Sequence, residues 1–167
     1  MSAAFYLKKM GYPVTVFEKE KRPGGMLMNG IPSFRLEKDV INAEIDVLRE
    51  MGVEFKCGVE VGEDITIAQL REQGYKAFYI AIGAQGGRMT GVPGEDAVGV
   101  ETGVDFLRRV NLNEEGVKLS GKTVVIGGGN VAVDVARPAL RTGSSEVSMF
   151  CLESRDIMPA ADDEVAE

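Results

Sequence analysis

Gly127, Gly129 and Ala132 stand at the spacing G-x-G-x-x-A, directly after the apolar run Lys122-Thr-Val-Val-Ile126 and at the head of a helical stretch, Asn130–Arg141. Each position has a physical reason. The first glycine permits a tight turn, the second lets backbone come up to a pyrophosphate, and the small third residue lets helix and strand pack closely. Amides at the helix N-terminus, carried by Asn130 and Val131, then face the phosphates together with the helix macrodipole. Glu153 ends the next apolar run 26 residues after Gly127, near the expected place of a ribose-binding acid. A glycine triplet can also be a purely structural turn. Here four features agree on a dinucleotide site: strand before, helix after, small third position, acid downstream. The 2′ position stays open between NAD and NADP, because Glu153 suits a hydroxyl and Arg155 suits a phosphate.

Histidine- and cysteine-based chemistry is excluded by what the chain lacks. The chain has no histidine, which excludes Ser-His and Cys-His nucleophiles and any histidine-ligated metal. Its two cysteines, Cys57 and Cys151, lie far apart, so neither a CxxC pair nor a four-cysteine iron–sulfur site can form within the chain. No catalytic residue is assigned, and redox chemistry must be borrowed from a cofactor. A net charge of −7 argues against nucleic acid as a partner. No stretch has the length of a membrane span, and Met1–Leu7 lacks a signal-peptide pattern. Unpaired cysteines fit a reduced, cytoplasmic setting.

The elements that must position the site read as follows. Ser2–Met10 is a helix ended by Gly11, and Tyr12–Phe17 is a buried strand closing on Glu18. Leu36–Met51 has apolar residues at helical spacing and stops at Gly52. Val53–Phe55 and Val59–Val61 read as short strands, Thr66–Gln73 as a helix, and Ala77–Ile82 as a continuous apolar strand running into Gly83. Arg88–Val100, rich in Gly and Pro, is a linker; Gly103–Asn111 is a short helix. After the glycine turn and its helix, Glu146–Leu152 is a last strand and Asp156–Glu167 an acidic, frayed tail. Alternating strands and helices of these lengths predict an α/β fold with a mostly parallel sheet.

The order helix, glycine, strand, glutamate occurs twice, as Ser2…Gly11…Glu18 and as Asn130…Gly143…Glu153. Only the second copy has a strand and glycine turn before its helix. Counting back from Gly11 by the Gly129–Gly143 separation lands ahead of Met1, so the first copy's phosphate loop is expected to be missing. The tail stops one strand into the second copy, and the chain reads as a fragment cut at both ends.

The run Gly127-Gly-Gly-Asn-Val-Ala-Val-Asp-Val-Ala-Arg137 resembles the nicotinamide-binding turn of the glutamate synthase small-subunit (beta-chain) group of FAD-dependent pyridine nucleotide oxidoreductases. Pro23-Gly-Gly-Met-Leu27, Gly30-Ile-Pro-Ser-Phe-Arg-Leu36, Ala81-Ile-Gly-Ala84, Gly91-Val-Pro-Gly-Glu95 and Met158-Pro-Ala160 match the same group in the same order. The resemblance implies a Rossmann-like, three-layer FAD/NAD(P)-binding fold, incomplete at both termini. Residues 1–98 would be a partial FAD-binding domain and residues 99–167 a partial NAD(P)-binding domain. It implies an oxidoreductase that moves electrons from NAD(P)H through FAD to an iron–sulfur protein or domain; the alternative is an inert nucleotide-binding or interaction fragment. By resemblance Glu18, with Lys19 beside it, would meet the adenosine ribose of FAD. Gly24 and Gly25 would let backbone approach the flavin side. Arg35 would sit near the isoalloxazine ring or the phosphates, and Gly83 would admit the pyrophosphate or ribityl chain. Each has a plainer reading: strand-end carboxylate, turn, salt bridge, packing glycine. Unpaired strand edges predict a homo-oligomer. Pro138, inside the helix, should cost ~3 kcal/mol unless the helix kinks.

Overall fold

A computed structural model describes residues 1–113 and 116–166. The chain divides into two compact units, Met1–Met28 with Leu36–Ala84, and Asn29–Arg35 with the chain from Gln85 onward.

In the first unit α1 (Ser2–Lys9) gives way to Gly11, whose φ of +89° turns the chain out of the helix. β1 (Thr15–Glu18) runs parallel to β2 (Glu54–Cys57), in register from Thr15 opposite Glu54 to Glu18 opposite Cys57. After the short α2 (Met26–Asn29), α3 (Lys38–Glu50) buries Ile41, Ile45 and Leu48, a single stripe at helical spacing. Leu48 packs with Ala4 and Val53 to form the core. α4 (Ile67–Glu72) is opened by a capping box in which Thr66 and Gln69 satisfy each other's backbone amides.

Two expected strands are not formed. Val59–Val61 is reduced to a single bridge between Val61 and Ile65. Ala77–Ile82 is not a strand, and Tyr79, Ile80 and Ile82 are 74%, 77% and 80% exposed. An apolar run becomes a strand only when a neighbour takes its backbone hydrogen bonds. Among the described residues no strand pairs with this run.

In the second unit α5 (Gly103–Leu112) precedes β3 (Lys122–Ile126), α6 (Asn130–Arg141) and β4 (Glu146–Phe150). β3 and β4 are parallel, in register from Lys122 opposite Glu146 to Ile126 opposite Phe150, and α6 is their crossover. Val125, Ala132, Val135 and Ala139 meet Phe106 and Leu107 in the core. Alternation along β3 leaves Val124 and Ile126 exposed on the other face. Pro138 is buried within an uninterrupted α6; its carbonyl takes both the Thr142 amide and the Thr142 hydroxyl at 2.8 Å, which closes the helix end. Gly143 then leaves at φ +115°, where a Cβ would lie 2.7 Å from the Leu119 carbonyl oxygen. The acidic tail, expected to fray, is instead structured: a 3-10 turn at Arg155–Ile157 and a helix, α7 (Asp162–Ala166). Its carboxylate Glu164 is paired with Arg35, a partner no local reading supplies.

Candidate functional site

The glycine turn sits where β3 stops. The Gly127 amide donates to the Phe150 carbonyl at 2.8 Å, tying the turn to the end of β4. Gly127 has a φ of +140°, and its absent Cβ would lie 3.4 Å from Ala132 Cβ, so smallness at both positions brings helix and strand together. Gly129 is the N-cap of α6 in ordinary extended backbone, φ −93° and ψ 174°. A Cβ there would meet nothing within 4 Å. The protein's own packing does not require that glycine. No side chain caps the N-terminus of α6, so its first amides keep their hydrogen-bonding capacity for a ligand.

Gly128 answers to a different constraint. It is buried, and a Cβ would fall 2.9 Å from Cys151 Cβ and 3.3 Å from Met158 Cγ. The Ala160 amide donates to the Gly128 carbonyl at 2.9 Å, and the Ala161 amide to Asn130 Oδ1, also at 2.9 Å. Met158–Ala161 is thus a strap across the turn that holds the Asn130 side chain. The sequence reading missed this role, although Met158-Pro-Ala160 was a matched motif. Val131 is exposed on the first turn of α6, and Ala132 is buried beneath it.

β4 ends at Phe150, two residues short of the expected Leu152, so Glu153 lies on the loop beyond it. Glu153 is half-buried, and its carbonyl accepts the Cys151 thiol at 3.3 Å. Arg155 is exposed at the start of the 3-10 turn. Gly127, Gly129, Asn130, Val131, Ala132, Glu153 and Arg155 therefore all belong to the second unit, as does Arg35. Arg35 is held by two carboxylates, Asp134 of α6 and Glu164 of α7.

Glu18, Lys19, Gly24, Gly25 and Gly83 belong to the first unit. One Glu18 oxygen accepts the Glu20 amide at 2.9 Å, in a turn that leaves the carboxylate half-buried at the end of β1. Burial, then the Glu18 charge, push the Cys57 thiol above its usual pKa, while Arg49 pulls it down. Lys19 faces Glu60 at 3.7 Å in solvent. Gly24 and Gly25 have φ of +134° and +56°, and Gly83 of +70°. A Cβ on Gly24 would lie 3.0 Å from Met28 Cβ, so that glycine is also a packing requirement.

Comparison with known proteins sets this arrangement in context. A family model described as pyridine nucleotide-disulphide oxidoreductase matches residues 1–167. The chain is 45% identical to the NADP(+)-dependent formate dehydrogenase subunit beta of Moorella thermoacetica, covering 100% of this chain and 24% of that one. It is 38% identical to the NAD-dependent dihydropyrimidine dehydrogenase subunit PreT of Escherichia coli K12, covering 98% and 39%. A putative glutamate synthase [NADPH] small chain of Cereibacter sphaeroides is 37% identical, with 99% and 42% covered. Among solved structures, FprA of Mycobacterium tuberculosis in complex with NADPH superposes with a TM-score of 0.78 at 27% identity, over 99% of this chain and 43% of that one. The chain thus spans less than half the length of these relatives.

Proposed function

Since this chain belongs to the pyridine nucleotide-disulphide oxidoreductase family, an oxidoreductase family whose cofactors are FAD and NAD(P), we propose that its second unit holds the nicotinamide nucleotide at Gly127–Ala132. One observation carries this reading. Gly129 stands at an uncapped helix N-terminus with open space where a side chain would be, so glycine is explained by a ligand and not by packing. Asn130, fixed by the strap, and Val131 supply the first amides; Glu153 and Arg155 would address the ribose 2′ position. Glu18, Lys19, Gly24, Gly25 and Gly83 would hold FAD, with residues 1–98 contributing to the FAD-binding domain and 99–167 to the NAD(P)-binding domain. The residues fit that cofactor in one respect: Gly25 and Gly83 hold the backbone at φ +56° and +70° without a side chain, which lets a cofactor come up to it.

Bound together, the two cofactors would supply hydride transfer from nicotinamide to flavin, which needs no protein acid or base. The protein's part is to position them. Electrons would pass on to an iron–sulfur protein or domain, a reading supported by relatives named as subunits of larger redox enzymes. The two free cysteines suit a cytoplasmic setting. The exposed apolar face Val124, Ile126 and Phe150 on a parallel sheet, a kind of sheet usually covered on both faces, favours a homo-oligomer. Calorimetric titration with NADH and NADPH tests the site: Gly129→Val should abolish binding, and a variant that binds like the parent would sink the assignment. The second reading, an inert nucleotide-binding fragment, predicts nucleotide binding without flavin uptake or turnover.

A further inference from the structure

The last turn of α6 borders a cleft of about 250 Å³, whose other sides are residues 32–34 and the end of α5. Every residue lining it belongs to the second unit. Pro32, Phe34, Val110 and Pro138 give it apolar walls. α6 has 12 residues and is about 18 Å long, and the glycine turn stands at its opposite end. The cleft is no part of the nucleotide site.

Three guanidinium groups lie over the Phe34 ring: Arg141 at 4.4 Å from the centroid, Arg137 at 5.4 Å and Arg35 at 5.6 Å. Two of them are engaged elsewhere. Arg35 pairs with the Asp134 and Glu164 carboxylates, and Arg137 donates to the Glu164 carbonyl at 3.0 Å. Arg141 lines the cleft and meets no carboxylate or carbonyl among the described residues. Stacking holds a guanidinium by its face and leaves its edge N–H groups free for an acceptor. Ser33 brings an exposed hydroxyl to the same cleft. The other two polar residues there have already given their donors. Asn111 Nδ2 donates to the Asn29 carbonyl at 2.8 Å and the Ile31 carbonyl at 3.4 Å, and the Thr142 hydroxyl to the Pro138 carbonyl at 2.8 Å. What the cleft offers a ligand is one unspent cation, one hydroxyl donor and apolar walls.

We propose that this cleft binds a small organic monocarboxylate, its carboxylate on the edge of Arg141 and the Ser33 hydroxyl, its apolar body against Phe34 and the two prolines. Charge sets the class. A planar guanidinium matches a carboxylate through two parallel hydrogen bonds. One cation balances one negative charge, and the cleft lies at the C-terminal end of α6, where the helix dipole presents negative charge and disfavours a dianionic phosphate. Volume sets the size, because pockets for drug-sized ligands hold about 300–1,000 Å³ and this one is smaller. A single ring suits it. The inference stands apart from the nucleotide reading and does not depend on it.

Benzoate, titrated into the full chain and followed by NMR shifts of the backbone amides, tests this, with benzamide, acetate and phenyl phosphate beside it. The shifts should gather at Ser33, Asn111 and Thr142. Benzoate should bind about tenfold or more tightly than benzamide, which has the same shape without the charge. It should also bind more tightly than acetate, which has no ring to bury, and than phenyl phosphate, which carries the second charge. Arg141→Gln, at an exposed position, should bring benzoate down to the level of benzamide at unchanged circular dichroism. Ser33→Trp, also at an exposed position, should fill the cleft and remove both ligands. If either variant misfolds, the wild-type ratios decide alone. The proposal is overturned if benzoate leaves the cleft amides unshifted, if it binds no better than benzamide or acetate, or if folded Arg141→Gln keeps the wild-type affinity. Phenyl phosphate binding more tightly than benzoate would overturn the carboxylate class. Competition between NADH and benzoate would show that the cleft is not a separate site, and the proposal would fall.

Discussion

Gly128→Ala and Gly129→Ala, one methyl group on adjacent residues, should separate folding from binding. At Gly128 the new Cβ would come 2.9 Å from Cys151 Cβ and 3.2 Å from its Sγ, with Met158 Cγ at 3.3 Å. Of those atoms Cys151 Cβ can withdraw only if its backbone shifts, and the Ala160 bond to the Gly128 carbonyl resists movement of the turn. Overpacking of this kind costs about 1–3 kcal/mol. For a domain of such size that is a fall in Tm of roughly 5–20 °C. At Gly129 the Cβ meets nothing, and φ −93° suits alanine, so stability should change by less than about 0.5 kcal/mol. The cost there appears only with ligand: the Cβ occupies the path of a pyrophosphate, and NAD(P)H affinity should fall about tenfold or more. Differential scanning calorimetry and isothermal titration on both variants give four numbers. The reasoning is refuted if Gly128→Ala melts like the parent, or if Gly129→Ala binds like it. Adding Cys151→Gly to Gly128→Ala should return part of the lost Tm, because it removes the nearest atom.

Glu153→Ala should shift the NADH/NADPH affinity ratio toward NADPH, since a carboxylate repels a 2′-phosphate; an unchanged ratio places Glu153 away from the ribose. Gly143→Ala should destabilise by about 2 kcal/mol or more, from positive φ and contact with the Leu119 carbonyl, whereas Gly11→Ala, at φ +89° with nothing within 4 Å, should cost only about 1–2 kcal/mol in urea melts. The raised Cys57 pKa sets a sign for alkaline pH. Its stabilisation is complete below the unfolded thiol value, about 8.5, and is lost as pH rises through the folded value, so the alkaline drop in urea midpoint should shrink in Cys57→Ala. Light scattering should find a dimer or larger species; a dilute monomer would show that the apolar face of β3 and β4 needs no cover.

What could be read from sequence was whatever the chain settles locally. β3 and α6 fall where the apolar run and helical spacing put them, Lys122–Ile126 and Asn130–Arg141, because strand, turn and helix each carry their own signal within a few residues. Ala77–Ile82 has an equally good strand signal, yet hydrogen bonding to a neighbour is not written in the run itself. The middle glycine was legible as a spacer and no more, since the Cys151 and Met158 side chains that forbid a methyl there come from beyond β4. The tail reads as frayed from its charge alone. The cation that orders it lies 129 residues earlier, at Arg35.

Those distant contacts bear on function through α6. Its first turn is held by the strap, Ala161 on Asn130 and Ala160 on Gly128. Further along, Asp134 is held by Arg35, and the guanidinium of Arg141 lies 4.4 Å from the Phe34 ring centroid, with Arg137 at 5.4 Å. The Gly30–Leu36 segment, matched for its place near flavin, thus also clamps the helix whose N-terminus faces the nucleotide phosphates in the proposed site. A helix dipole aids anion binding only if the helix need not move to offer it, because ordering at the moment of binding subtracts from affinity. In the proposed site, the carboxylates on Arg35 would therefore serve nucleotide binding without touching the ligand. By holding Asp134, Arg35 would fix the axis along which the Asn130 and Val131 amides point.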